Sequence, residues 1–166
     1  QSRKTFTEAV PTMTWRHATY GLAGDELWDY STESGGGAAY FPAWRPGGNK
    51  TTLGALLIPL RVPTGSRLLA FSVYHMLTAL GANPAVVTAR LLKITPPGDA
   101  SEIATNSHDV TNGIYNDSLD VIVAVPAVAA VGEEFYAEVT LSGDYVAADT
   151  SLRGATQTID CLHVRP

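Results

Sequence analysis

Short stretches of alternating apolar and polar residues, separated by turn residues, run through the chain from Leu56 to Val164. Successive side chains of a β-strand point to opposite faces, so a period of two predicts strands that bury one face. Within Glu134–Leu141, for example, Phe135 and Val139 share one face while Glu138 lies on the other. Helical periodicity of useful length is absent. The sequence therefore predicts an all-β chain.

Turn residues set the ends of the predicted strands. Pro63–Ser66 and Pro96–Asp99 combine a proline, which fixes φ, with a glycine that accepts a positive φ, and Asn112-Gly113 favours a tight hairpin. Pro59 cannot donate to a hydrogen-bond ladder, which predicts an edge or a strand end. The predicted strands are Leu56–Val62, Leu68–Met76, Val86–Ile94, Ile103–Thr111, Leu119–Val125, Glu134–Leu141 and Ala155–Val164. This succession predicts an antiparallel β-sandwich of about seven or eight strands.

Residues 1–52 differ from the rest of the chain, because they are rich in aromatic residues and poor in regular periodicity. Breakers at Gly35–Gly37 and Pro46–Asn49 bracket a short predicted strand, Ala38–Trp44. We therefore expect an extended N-terminal arm (residues 1–52) with one or two short strands, followed by a β-sandwich domain at 53–166. A chain of 166 residues is expected to form one core.

The aromatic residues of the N-terminal arm have two predicted uses: they anchor the arm in the core, or they contact a partner. Both uses draw on the large area that an aromatic ring removes from water. A third use is a platform for sugar rings, for which Trp28, Trp44 and Tyr74 are the candidates. The candidate partner-binding residues are Trp15, Trp28, Trp44, Tyr20, Tyr30 and Tyr40.

Charge and apolar content exclude several classes of function. A formal net charge of -5 with scattered Lys and Arg argues against nucleic acid as a partner. No stretch approaches the ~20 apolar residues of a membrane span, so membrane insertion is not expected. Cys161 is the only cysteine, which excludes an intrachain disulfide and a thiolate zinc site. The chain begins at Gln1 and not at Met, from which we expect that a preceding segment has been removed.

Catalytic and metal-binding patterns are absent, so we expect no enzyme, no cofactor and no metal. The four histidines are far apart in sequence, and each is expected to be structural or at the surface. In Ser107-His108-Asp109 the neighbours point to opposite faces of a strand, which opposes a catalytic triad. A glycosidase would need two facing carboxylates, and nothing marks such a pair. Calcium is an alternative if two acidic loops meet; their residues are Asp117, Asp120, Asp144 and Asp149.

Four segments carry a resemblance to a known family, the jelly-roll domains of structural proteins of tailed bacteriophages. Leu57–Leu68, with its Pro-x-Gly turn, is similar to their opening strand, and Phe71–Tyr74 follows it. Val87–Lys93 resembles a strand that crosses the sandwich in these domains, and Glu134–Val139 resembles their penultimate strand. The resemblance implies a jelly-roll fold and a role in the virion, commonly as a trimer. It carries no binding residues across, because the shared positions are turn and core positions.

Two functional hypotheses follow. The first is a non-enzymatic structural virion protein, a capsid decoration, head-fibre or tail-fibre component on the virion exterior. It would assemble through the N-terminal arm, as a homotrimer and with the major capsid or other virion proteins as partners. The alternative is a carbohydrate-binding module or a receptor-binding fibre tip that recognises host-surface glycans. A third interpretation, a glycan-degrading sandwich, requires the two facing carboxylates that the sequence does not mark.

Overall fold

Two antiparallel β-sheets pack face to face in the computed structural model, which describes residues 2–18, 28–33, 40–48 and 54–162. This confirms the prediction of an all-β sandwich. The described strands are β1 (Arg3–Val10), β2 (Arg16–His17), β3 (Trp28–Glu33), β4 (Tyr40–Pro46), β5 (Leu56–Leu60), β6 (Arg67–Ala79), β7 (Ala85–Thr95), β8 (Asp99–Val110), β9 (Gly113–Ile122), β10 (Glu134–Gly143) and β11 (Ser151–Leu162). Two single-turn 3-10 helices complete the described elements, and neither could cross a membrane.

The larger sheet has the strand order β3-β4-β11-β6-β9, with β1 also paired to β11. One edge of β11 is shared by two strands: Leu152 pairs with Trp44 of β4, and the residues from Ala155 onwards pair with β1. The other edge of β11 pairs with β6 along most of its length. The last strand of the chain therefore joins the first strand to the middle of the fold.

The smaller sheet has the order β2-β5-β10-β7-β8. β2 pairs only with Leu56 and Leu57, so Pro59 lies on a part of β5 that has β10 on one side and no described strand on the other. A proline is tolerated there because its missing N–H leaves no ladder bond unmade. The sequence-based prediction for Pro59 is thereby confirmed.

The core lies between the two sheets and is lined by alternate residues of both. Phe71 and Val73 of β6 face inward from the larger sheet, and Val139 and Leu141 of β10 from the smaller one; all four are buried. Removing such side chains from water is the main favourable term for folding, about 1.5–3 kcal/mol for each fully buried one. The intervening residues form the outer faces of the sandwich.

The seven strands β5–β11 match the seven strands predicted for the second half of the chain, with ends that differ by up to six residues. The N-terminal arm was expected to carry one or two short strands, and its described residues form four, which pair into both sheets. Two reasons account for the difference. β2 is too short to show an alternation, and β1 alternates weakly because all of its residues except Val10 keep part of their surface exposed.

A carboxylate on the outer side of β11 fastens three strands together. Asp160 accepts a hydrogen bond from Nε of Arg3 in β1 at 2.8 Å and one from Nη2 of Arg67 in β6 at 2.5 Å. Arg3 also donates to the carbonyl of Gly65 at 2.9 Å. The hydrogen bonds from Arg67 and Arg3 lower the pKa of the Asp160 carboxyl from 3.8 to about 2, although its burial opposes the shift.

We predict that Asp160→Asn lowers the free energy of unfolding near neutral pH by about 1 to 2 kcal/mol, since two arginines lose their anion. A depressed carboxyl pKa stabilises the fold above its unfolded value, so this contribution disappears as the pH falls from 3.8 to about 2. Urea unfolding of both proteins across that range measures it. Asp99→Asn, at an exposed carboxylate, is the matched control. Equal stability of Asp160→Asn and the parent near neutral pH would contradict the assignment.

Candidate functional site on the outer face of the larger sheet

The outer face of the larger sheet is built from small and polar side chains. Strand register places them in rows across β9, β6 and β11: Asp120, Ser72 and Thr156 form one row, and Ser118, Tyr74 and Gly154 form the next. Farther along, Asn116, Met76 and Ser151 form a third row. Most side chains of this face are therefore short. The one large ring is that of Tyr74, in the middle row.

Tyr74 is the exposed aromatic residue of this face, with 46% of its surface accessible. Its ring lies over Gly154, where an added Cβ would be 3.8 Å from Cδ2 of Tyr74. No hydrogen bond to its hydroxyl and no ring or cation contact is found among the residues that the structure describes. Tyr74 therefore presents an apolar ring and an available hydroxyl to the solvent.

Other exposed aromatic residues are engaged by their neighbours. Tyr30 packs its ring on Trp44 and shares a hydrogen bond of 2.9 Å with the hydroxyl of Thr12. Tyr115 donates to the carbonyl of Thr111 at 2.8 Å. These contacts hold the two rings to the protein, and so distinguish them from Tyr74.

A β-bulge shapes the surface beside Tyr74. Leu152 pairs with His75 and Gly154 with Tyr74, so Arg153 is an extra residue inserted between two consecutive pairs of the register. A bulge of this kind redirects side chains. Here it brings exposed Arg153 to the outer face and leaves Gly154 opposite the Tyr74 ring, which packs within van der Waals distance of it.

Polar groups of the outer face are held in place by hydrogen bonds. The hydroxyl of Ser72 donates to Oδ1 of Asp120 at 2.6 Å, and the Asn106 amide donates to the Asp120 carbonyl at 2.8 Å. Thr7 and Thr158 share a hydrogen bond of 2.9 Å between their hydroxyls. The carboxylate of Asp120 keeps acceptor capacity after one such bond, because an ionised carboxylate has about four lone-pair sites.

The outer face of the smaller sheet also carries a tyrosine, Tyr136, but Arg16 lies over its ring. The Arg16 guanidinium lies 5.5 Å from the centre of the Tyr136 ring, and Nη2 of Arg16 donates to its hydroxyl at 3.3 Å. That hydroxyl in turn donates to Glu134 at 3.1 Å. A hollow lies beside Tyr136, lined by Leu57 and Leu92 among others. Because Arg16 lies over the Tyr136 ring and the Tyr136 hydroxyl is already hydrogen-bonded, this face is the weaker candidate.

Of the six predicted partner-binding residues, the three tryptophans are buried. Nε1 of Trp28 donates to the Gly54 carbonyl at 2.7 Å, and Nε1 of Trp44 donates to the Thr12 carbonyl at 2.8 Å. Trp15 is buried with no hydrogen-bond partner for its Nε1 among the described residues. Their rings face the core and not the surface. Anchoring of the arm in the core was one of the two uses that the sequence analysis allowed for these residues.

The three predicted tyrosines have separate outcomes. Tyr30 is partly exposed on β3 and lies against Trp44, 5.0 Å between ring centres. Tyr20 lies outside the described residues. Tyr40 belongs to β4, and its side chain lies outside the described part of the chain. The structure therefore does not bring these six residues together as one exposed surface.

Two histidines that are far apart in sequence meet between the sheets. Nε2 of His75 in β6 lies 3.1 Å from Nδ1 of His108 in β8, with the rings at 69°. Only one of these nitrogens can donate to the other, so the pair shares one proton. Nδ1 of His75 is buried without a partner among the described residues. His108 thus faces His75, while Ser107 and Asp109 have their side chains on the opposite face of β8, as the sequence indicated.

Charge on His75 is disfavoured by this environment. Burial, and secondarily the neighbouring His108, lower its pKa from 6.5 to about 4, while Asp117 acts in the opposite direction. Asp117 pairs with His75 across β6 and β9. No group of three or more His, Cys, Asp or Glu side chains within the described ranges could hold a metal ion. His75 is therefore held in its neutral form in a hydrogen-bonded contact between the two sheets.

The fold should lose stability as the pH falls from 6.5 to about 4, because the unfolded chain protonates His75 and the folded chain does not. The expected loss is about 2 to 3 kcal/mol. His75→Phe removes the titrating group, so unfolding of this variant should depend less on pH in that range. Urea unfolding at several pH values measures both slopes. The same slope in the two proteins would contradict the assignment.

Comparisons with known proteins identify the fold. No protein-family model matches the chain, and no curated protein sequence matches it. The xylan-binding domain CBM22-1 of Xyn10C from Paenibacillus barcinonensis is similar in structure, with a TM-score of 0.53, 14% identity and coverage of 96% of this chain and 95% of that domain. The family 11 carbohydrate-binding module from Clostridium thermocellum, in complex with a β-1,3-1,4-mixed-linked tetrasaccharide, has a TM-score of 0.50, 8% identity and coverage of 93% and 94%.

The enzymatically active domain of tailspike protein 4 of bacteriophage CBA120 is a weaker match, with a TM-score of 0.40, 9% identity and coverage of 93% of this chain and 20% of that chain. At that TM-score the likeness carries no inference. The two stronger matches show that the chain has the jelly-roll β-sandwich fold that the sequence resemblance implied. Membership of a phage structural family remains a prediction.

Proposed function

We propose that this protein is a non-enzymatic carbohydrate-binding module, and that it binds glycans on the outer face of the larger sheet around Tyr74. The observation that carries the proposal is the exposed Tyr74 ring, which has no hydrogen-bond or ring partner among the described residues. Short polar side chains of the neighbouring strands surround it. The resemblance of the fold to a xylan-binding domain and to a module in complex with a tetrasaccharide supports it.

The chemistry of this surface suits a sugar. One side of a pyranose ring presents mainly C–H groups and its edge presents hydroxyls, so a sugar needs an apolar platform with hydrogen-bonding groups at its rim. The Tyr74 ring supplies the platform. Asp120, Ser118 and Thr156 lie in the same row or the adjacent one and supply acceptors and donors at the rim.

The shape of the face favours an extended glycan over a small buried ligand. Small ligands are usually enclosed in deep concave pockets. Ser72 and Thr156 have short side chains and Gly154 has none, so the three rows around Tyr74 form an open surface across the strands. Glycan chains are long enough to lie along such a surface and contact several rows at once.

Carboxylate positions support a role without catalysis. Hydrolysis of a glycosidic bond by two carboxylates needs them at a separation of about 5 to 10 Å on either side of the scissile bond. Asp117 and Asp120 are both on β9 but point to opposite faces, Asp117 towards the row of His75 and Asp120 towards that of Ser72. They therefore cannot flank one sugar bond.

Tyr74→Ala is expected to weaken glycan binding about tenfold or more, because it removes the stacking platform. Tyr74→Phe keeps the ring and should retain most of the affinity. Affinity electrophoresis and calorimetry against soluble xylan, mixed-linkage β-glucan and polygalacturonate measure the effect. Tryptophan emission should not change on binding, since the described indoles are buried.

Tyr136→Ala, on the outer face of the smaller sheet, is the matched control and should leave binding unchanged. Melting temperatures of all variants establish that they are folded. Wild-type affinity in Tyr74→Ala, or a loss confined to Tyr136→Ala, would contradict the proposed site. Binding to none of the glycans would contradict the proposed function.

A second candidate, a structural virion protein that assembles with copies of itself, is favoured by an apolar end of the sandwich. Val125 and Val131 expose 85% and 83% of their surface in the segment between β9 and β10. Val128 of the same segment and Ile122 at the end of β9 are also exposed. Exposed apolar residues grouped in one short segment are typical of association sites. A homotrimer on the virion exterior, in contact with capsid proteins, is the assembly that this candidate predicts.

Replacing both Val125 and Val131 with Ser should convert an oligomer into a monomer if the apolar end joins copies of the chain, because the contact would lose its apolar area. Multi-angle light scattering gives the masses. Leu80→Ser, at a residue that is 75% exposed at the opposite end of β6, is the control. A monomeric parent protein would contradict self-assembly through this end.

A further inference from the structure

We infer that two copies of this chain associate through the edge of β1 that faces away from β11, in an antiparallel pairing that joins their larger sheets into one continuous sheet. This surface is separate from the Tyr74 face and from the apolar end at Val125 and Val131. Three observations carry the inference: an edge without a paired strand, an exposed phenylalanine on the core side of that edge, and a charge pattern that is complementary to itself.

β1 is an edge strand along its whole length. It pairs with β11 on one side, from Arg3 to Val10, and no strand that the structure describes pairs with its other side. Every residue from Lys4 to Ala9 is exposed. The N–H and C=O groups along such an edge can form a ladder with a further strand, which makes β1 a site for strand addition.

Phe6 is exposed although it lies on the face of the sheet that lines the core. It pairs across the ladder with Ile159, a core residue, and residues directly opposite each other in a ladder share a face. Nevertheless 45% of the Phe6 surface is accessible, so the described strands of the smaller sheet do not cover it. A second aromatic ring placed against Phe6 would remove this apolar surface from water.

Opposite charges flank Phe6 on the same face. Lys4 and Glu8 are roughly 13 Å apart along the strand, too far to pair within one copy. The Lys4 ammonium lies 5.6 Å from the centre of the Phe6 ring, and the Gln157 amide donates to Oε1 of Glu8 at 3.2 Å. Neither Lys4 nor Glu8 forms an ion pair with another described residue. The Glu8 carboxylate keeps acceptor capacity, so both residues can meet an opposite charge from outside.

Symmetry restricts how two such strands can pair. A two-fold axis normal to the sheet keeps each face on the same side, so a residue can oppose only one from its own face, and the pairing is centred on a residue. Centring on Phe6 places Lys4 opposite Glu8 of the second copy twice, and sets the two Phe6 rings side by side. Centring on Thr5 or Thr7 pairs no opposite charges. Centring on Lys4 or Glu8 sets like charges opposite each other.

The charges of β1 also select against other pairings. Lysine on an edge strand usually discourages association with another chain. In the pairing centred on Phe6, however, each Lys4 meets a Glu8, so the residues that oppose other registers stabilise this one. On the outer face Thr5 lies opposite Thr7 of the second copy, and β-branched residues are favoured in such cross-strand positions.

The dimer would present both Tyr74 faces on one side of a single sheet, because the two-fold axis is normal to that sheet. Its strand order would run from β9, β6, β11 and β1 of one copy to β1, β11, β6 and β9 of the other. Two sites on one surface raise the apparent affinity for a polymer that spans them. This consequence rests on the proposed function, whereas the pairing itself does not.

Charge reversal tests the inference. Multi-angle light scattering and sedimentation velocity over a range of concentrations should give a dimer for the parent chain. Lys4→Glu and Glu8→Lys should each weaken dimerisation about tenfold or more, because each sets two pairs of like charges opposite each other. An equimolar mixture of the two variants should associate again, since they carry opposite charges at the paired positions. The double variant Lys4→Glu/Glu8→Lys should dimerise like the parent.

Asp99→Lys, a charge reversal at an exposed residue of β8 in the other sheet, is the matched control and should dimerise like the parent. Melting temperatures establish that each variant is folded. A monomeric or trimeric parent chain, unchanged dimerisation in both single variants, or no association in their mixture would overturn the inference.

The apolar end of the sandwich is tested in the same measurement. An oligomer that is lost when Val125 and Val131 are both replaced with Ser, but kept in Lys4→Glu, would overturn the β1 pairing and assign the contact to that end. All masses are measured without glycan. A failure of the β1 pairing therefore leaves the proposed glycan function standing, and a failure of glycan binding leaves the β1 pairing standing.

Discussion

The last strand of the chain pairs on both of its edges, and the larger sheet depends on this. β11 receives β6 on one side and both β1 and β4 on the other, so the strands nearest the two ends of the chain lie next to each other. Asp160 reinforces the arrangement by accepting hydrogen bonds from Arg3 and Arg67. Among the strands that the structure describes, β11 is the one that joins β1 and the β3–β4 pair to β6 and β9 through ladder hydrogen bonds.

The same strand determines what the outer face offers to a ligand. A regular β11 would place Arg153 and Gly154 on opposite faces. Its bulge instead puts both residues on the outer face. Arg153 adds a cationic side chain there, and Gly154 has no side chain beside Tyr74. β11 therefore has two roles. It is the long strand that two partners share along one edge, and it forms part of the candidate binding surface. Similarity to solved structures identifies the jelly-roll fold, while the proposed site depends on residues of this chain alone.

Local patterns predicted much of the fold. Alternation and turn residues are short-range signals, and they located β5–β11 because most of these strands are long and bury one face. Asn112, which has a positive φ of 52° at the predicted hairpin turn, is such a signal as well. The pairing of β1 with β11 was not predictable in this way, since it joins residues such as Arg3 and Leu162 across almost the whole chain. Trp44 could be assigned to the core or to a partner only after its pairing with Leu152 was known.

The candidate site was predicted only in part. Alternation in β6 placed Tyr74 on the face opposite Val73, and Tyr74 was one of three candidates for sugar stacking. Nothing in the sequence marks the bulge at Arg153, because a bulge depends on the register between two strands and not on a local motif. The meeting of His75 and His108 is equally hidden, since they belong to different sheets. A basic residue next to a glycine in the last strand was the one available signal for the site, and it is a weak one.

The most direct test of the central claim, glycan recognition on the Tyr74 face, is a map of ligand contacts by NMR. Amide shifts of the isotope-labelled protein would be followed during titration with oligosaccharides cut from the polymer it binds. The account predicts that the largest shifts fall in the middle of β6, β9 and β11, around Tyr74, Ser118 and Gly154. Shifts confined to the smaller sheet around Tyr136, or no shifts with any glycan, would contradict it.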